Sequence, residues 1–150
     1  MHFGHILVAL DGSPACAAAL GHACWLARQG DSTLTGLFVI DTGWADFIGN
    51  DWQSSSNARQ GFLDHIGREQ DAQAQAARSQ FAEAAAGLGD ARFELAAGDP
   101  VRVLLARLND PGTDLCIFAR RTFQVSGRPS LKSAARALAR HATRPLLLLP

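Results

Sequence analysis

An α/β sandwich built on five mostly parallel strands, with helices on both faces, is the fold class that the sequence predicts, and three observations predict it. Short apolar runs recur along the chain, from Ile6 to Leu10 at one end to Leu146-Leu147-Leu148-Leu149 at the other. Stretches with apolar residues at helical spacing separate these runs, and the joints carry turn and helix-start residues such as Asp11-Gly12-Ser13-Pro14. Strands that alternate with helices need crossover connections, and these make neighbouring strands parallel and the crossovers right-handed.

The first run, Ile6 to Leu10, reads as a buried strand that feeds a helix. Ser13 is placed to act as N-cap with Pro14 at the first helical position. Ala17, Leu20, Cys24 and Ala27 then form one stripe until Gly30 stops the helix. Thr33 to Ile40, closed by Asp41, is the second strand. Residues 42 to about 60 break the rhythm with Trp44, Phe47, Trp52 and a polar run from Gln53 to Asn57, and this segment reads as a long loop. The helical period returns at Phe62 and continues through Ile66, Ala74, Ala77, Phe81, Ala84 and Leu88. Ala91 to Ala97 is a third strand. Gly98-Asp99-Pro100 opens a helix with Val103, Leu104 and Leu108 on one face. Leu115 to Phe118 is the fourth strand, Leu131 to Ala142 the last helix, and Leu146 to Leu149 a final strand apolar enough for burial on both faces. Five strands and four helices in this order make an open doubly wound sandwich, which binds ligands beyond the carboxyl ends of its strands where the strand order reverses.

Composition narrows the function classes. The 150 residues, 47% hydrophobic, are expected to fold as one domain, 1–150. No apolar run approaches the roughly 20 residues that a membrane span needs. The start, Met1 to His5, lacks the basic segment of a secretory leader, so a cytoplasmic location is expected. Lys plus Arg and Asp plus Glu number 14 each, so no net field draws the chain to nucleic acid. Cys16, Cys24 and Cys116 are odd in number, lack metal-ligand spacing and sit among apolar neighbours; they are expected to be free thiols, with no metal.

The pieces His5-Ile6-Leu7-Val8-Ala9-Leu10-Asp11-Gly12-Ser13, Leu37-Phe38-Val39-Ile40-Asp41, Gly98-Asp99-Pro100, Asp114 through Phe118, and Ser133 through His141-Ala142 into Pro145 and the terminal leucines are each weak alone. In this order and at these separations they resemble the universal stress protein family over essentially the full length. The resemblance implies the fold of the adenine nucleotide alpha hydrolase-like group. It also implies a loop after the fourth strand with Gly, two residues, Gly, nine residues, Gly, then Ser or Thr, in which glycines let main-chain N–H groups reach phosphate oxygens. At those positions this chain has Ala119, Thr122, Lys132 and Ser133, so only the hydroxyl matches. Asp11 and the main chain of Val39 would, by the same resemblance, lie at the adenosine end of the crevice. A side chain at position 132 is expected to obstruct an ATP phosphate, while Arg120, Arg121, Arg128 and Lys132 form a cluster that grips a small anion instead.

Each candidate has a plainer reading beside it. Asp11 also suits an ordinary turn, and the arginines a solvated loop. Trp44, Phe47 and Trp52 either stack on a base as a lid or fold onto the chain's own core. His65-Ile66-Gly67-Arg68 looks like a nucleotidyl-transferase motif but lies inside a helix. Ser13, His22 and Asp41 are triad residue types without a GxSxG elbow around the serine. The expected function is therefore a non-catalytic stress-response binding or regulatory module without a bound cofactor, dimeric through Leu146, Leu147, Leu148 and Leu149. Its rivals are an ATP- or AMP-binding protein using Arg and Lys for the phosphates, and a slow nucleotide hydrolase.

Overall fold

The computed structural model describes residues 2–52, 56–131 and 133–150. Five strands appear among them, β1 (His5–Leu10), β2 (Thr33–Asp41), β3 (Ala91–Gly98), β4 (Leu115–Ala119) and β5 (Leu146–Leu149). They form one sheet in the order β3-β2-β1-β4-β5, and every pairing is parallel. The helices are α1 (Cys16–Gly30), α2 (Trp44–Ile48), α3 (Ser56–Ala84), α4 (Pro100–Leu108) and α5 (Ala134–His141). The predicted fold class is thus the observed one.

The pleat explains why the central strands are apolar at every position. Along β1, Ile6, Val8 and Leu10 point into a core shared with α1 and α3, whereas Leu7 and Ala9 point into a second core shared with α4 and α5. All five side chains are fully buried. Each large one contributes about 2 kcal/mol by leaving water. Cys116 and Phe118 of β4 join the α4/α5 core, and Ile117 the opposite one. Cys16, Cys24 and Cys116 are free and buried, as expected.

Several boundaries differ from the sequence expectation. Ser13 does not cap α1: the N-cap is Ala15, without a side-chain cap bond, and the Ser13 hydroxyl has no hydrogen-bond partner among the described residues. Instead the Ser13 main-chain N–H closes a turn onto the Asp11 carboxylate, and the helix starts two residues later than a Ser13 cap would place it. The buried stripe of α1 is centred on Cys16, Ala19, Leu20, Ala23, Cys24 and Ala27, and Ala17 is exposed. The described residues between 42 and 60 are not one loop, because α2 and the start of α3 lie among them; residues 53–55 of the expected polar run lie outside the described residues. The last helix begins at Ala134, preceded by a 3₁₀ turn at Pro129–Leu131.

Candidate functional site

The strand order reverses at β1, which β2 and β4 flank, so the crevice opens beyond the carboxyl ends of β1 and its neighbours. Asp11, the residue after β1, is 1% exposed. Its Oδ1 accepts the Ser13 N–H at 2.9 Å and the Cys16 S–H at 3.1 Å, and its Oδ2 accepts the Phe123 N–H at 2.9 Å. The carboxylate therefore joins the turn after β1 to the loop after β4. Burial first, then the nearby Asp11 charge, pushes the Cys16 thiol up to about 12, so it stays protonated and can donate. Gly12, at φ +79, leaves no Cβ between this turn and the Gln73 main chain of α3, and the helix closes directly onto it.

The loop between β4 and α5 folds inward. Ala119 ends β4 fully buried, and Thr122, 1% exposed, places its Oγ1 3.4 Å from the Cys16 sulfur. Phe123 has φ 68, a left-handed conformation uncommon for an aromatic residue. Its buried ring packs 6.4 Å from that of Phe118, centroid to centroid. Further on, Arg128 reaches across the crevice: its Nε lies 2.6 Å from Asp41 Oδ2, and the two side chains are 12% and 7% exposed. Asp41 Oδ1 also accepts the Gly43 N–H at 2.9 Å, and Gln70 brackets the Asp41 main chain, accepting its N–H at 2.6 Å and donating to its carbonyl at 3.0 Å. At Gly43 a Cβ would fall 2.7 Å from the guanidinium, so the close approach requires glycine.

These ties nearly fill the crevice. The cavity left between Asp11, Val39, Trp44, Gln73, Phe123 and Leu131 is about 10 Å³. That is room for about one water, against the roughly 300 Å³ or more of an ordinary ligand pocket. Val39, 2% exposed, forms part of its wall, under the chain's own side chains. Of the loop aromatics only Trp44 reaches the crevice. Trp44 packs edge-on against Phe47 at 5.8 Å and Phe62 at 6.1 Å, and Trp52 lies 5.8 Å from Phe62. Arg59 secures the cluster through the carbonyls of Gly49 and Ala45.

Outside the crevice lies an open groove of about 490 Å³ lined by Arg120, Arg121, Arg136 and Ser133. Arg120 and Arg121 both line this groove. Arg128 does not join them, because it pairs with Asp41, and Lys132 lies outside the described residues. Ser133 is exposed, at the start of α5 without a side-chain cap bond. Arg136 was not anticipated; its spacing of three from Ser133 puts both on one helical face and was the available signal. Ser13, His22 and Asp41 are not brought together as a triad. His22 Nδ1 lies 3.0 Å from the carbonyl of Ala18 on the exposed side of α1, and Asp41 is engaged by Arg128. His65 to Arg68 lie within α3.

Residues 2–150 match the model of the universal stress protein family. Among solved structures, universal stress protein UspA from Lactobacillus plantarum is 22% identical with a TM-score of 0.73, covering 100% of this chain and 99% of its own. A universal stress protein solved in complex with cAMP is 16% identical, TM-score 0.62, covering 99% and 98%. The universal stress protein from Archaeoglobus fulgidus in complex with dAMP is 14% identical, TM-score 0.61, covering 100% of both chains. None of the curated proteins gives a significant match to the sequence.

Proposed function

Because the chain belongs to the universal stress protein family, we propose that it is a non-catalytic stress-response module whose nucleotide crevice is occupied by its own side chains. The observation that carries this reading is the 10 Å³ cavity at the switch point, together with the engagement of Asp11 by two main-chain N–H groups and a thiol. Side chains at Ala119 and Thr122, where the family pattern has glycine, point the same way. The state of the three thiols supports the non-catalytic part: burial pushes Cys116, like Cys16, up to about 12 and raises Cys24 as well, so none is poised as a thiolate nucleophile. A cytoplasmic location, read from the three free, buried cysteines, belongs to the same proposal.

Calorimetry with ATP, AMP and cyclic AMP, followed by a turnover assay, is the test. Wild type should bind ATP no better than about millimolar, about −4 kcal/mol. The triple variant Ala119→Gly, Thr122→Gly, Lys132→Gly should gain affinity. Micromolar ATP binding by the wild type would overturn the proposal in favour of a second reading, in which Arg120, Arg121, Arg136 and Ser133 hold the phosphates. Their shared groove favours that reading, and so do the relatives solved with cAMP and dAMP. Turnover of ATP would instead establish a slow hydrolase.

The same proposal includes a homodimer through β5. This strand ends the sheet, pairs with β4 on one side and leaves Leu148 39% exposed. Its other edge offers N–H and C=O groups to a second copy across a two-fold axis. Light scattering should give a dimer for wild type and a monomer or aggregate for Leu147→Pro, which removes a ladder donor; a wild-type monomer at high concentration would contradict it.

A further inference from the structure

The zero net charge hides a segregation of the acidic residues. All 14 acidic residues precede Leu115, and seven of the 14 basic residues follow it, so residues 115–150 carry seven positive charges and no negative one. The sheet order turns this into a spatial division. β4, β5 and α5 form one side of the molecule, while α2, α3 and β3, which carry Asp46, Asp64, Glu69, Asp71, Glu83 and Glu94, belong to the other. Arg128 and Arg144 are engaged by Asp41 and Asp114. Arg120, Arg121, Arg136 and Arg140 are exposed, and the ion pairs among the described residues use none of them. Arg136 and Arg140 stand one turn apart on α5, so the four side chains continue from the rim of the crevice down the outer face of that helix.

We propose that this arginine face is a docking surface for an acidic polypeptide segment that carries apolar side chains among its carboxylates. Charge complementarity defines the acidic part: guanidinium groups without an intramolecular carboxylate are suited to bidentate pairing with Glu or Asp. The apolar part follows from the neighbouring surface. Arg120 and Arg121 also border a second groove of about 620 Å³, lined by Pro14, Ala15, Val125 and Pro150. Val125 is 81% exposed there. Nucleic acid fits less well. Among the described residues no aromatic side chain lines either groove, so bases would find no stacking platform there. A long polyanion would also run from the basic side onto the seven excess negative charges of residues 1–114. Docking on this face is independent of whether the crevice is open or closed.

The test is fluorescence anisotropy with a short labelled peptide in which Glu alternates with Val, beside the same peptide with Lys for Glu and a single-stranded oligonucleotide of equal length. Wild type should bind the Glu peptide, ignore the Lys peptide, bind the oligonucleotide more weakly, and lose peptide affinity as salt rises from about 50 to about 300 mM. Arg136→Glu with Arg140→Glu should weaken peptide binding at least about tenfold. Arg136→Gln with Arg140→Gln, which removes the charges without reversing them, should weaken it in the same direction, and circular dichroism checks that each variant is folded. Arg140 lies outside the lining of the Arg120–Arg121–Arg136 groove, so Arg140→Gln should weaken the peptide without changing binding of inorganic phosphate; this separates the inference from the anion-binding reading. No peptide binding, equal binding by wild type and variants, or tighter binding of the oligonucleotide would each overturn it.

Discussion

Asp11→Ala is expected to destabilise the protein by about 3 kcal/mol and to lower its melting temperature by about 6–12 °C. The substitution leaves the N–H groups of Ser13 and Phe123 without their acceptor, the latter at a buried site 112 residues away in sequence. It also removes the acceptor of the Cys16 thiol. Asp11→Asn, which keeps one acceptor oxygen, should lose about half as much. Thermal denaturation measures the loss, and hydrogen exchange at the Phe123 amide locates it. A melting temperature within about 1 °C of wild type would show that the turn and the loop are held together by something other than this carboxylate.

Arg128→Ala should cost about 2 kcal/mol and loosen the crevice. Breaking a fully buried ion pair costs about 3–5 kcal/mol. Here Asp41 keeps the Gly43 N–H, and the Arg128 side chain retains 12% exposure, so the smaller figure applies. The guanidinium also packs against Gly43, one residue before Trp44, and its loss should shift Trp44 emission to the red and speed exchange in the loop after β4. Asp41→Asn and the double variant complete a thermodynamic cycle, and a coupling energy above about 1 kcal/mol is expected. A coupling near zero would mean that packing alone closes the crevice.

The strands were legible because residues buried on both faces must be apolar at every position, and Ile6 to Leu10 or Leu115 to Phe118 carry that pattern without help from the rest of the chain. Helices with a full apolar stripe, such as α1 and α3, were legible to within a few residues. What local pattern could not reveal was set by distant partners. Ser13 has the composition of a cap, yet it belongs to the turn that Asp11 closes and the helix starts after it. Trp44 to Ile48 is too short for a period to register, and it stands against Phe62. The same holds for the site. Asp11, Val39, Arg120 and Arg121 were placed by the fold's general geometry, but the bond from Arg128 to Asp41 spans 87 residues. No spacing rule distinguishes an arginine that grips a ligand from one that replaces it.

The left-handed backbone at Phe123 bears on how the crevice opens. Glycine would relax that turn but remove the ring that fills the pocket beside Phe118, so the position sets backbone comfort against side-chain packing. The ring and the Asp11 acceptor hold the conformation, at a strain of about 1 kcal/mol. Any event that withdraws Phe123 releases that strain, and about 1 kcal/mol multiplies the withdrawn population by about five relative to an unstrained loop. The ring and the carboxylate thus hold the segment over the crevice against a small opposing backbone strain, and weakening either would let that strain count.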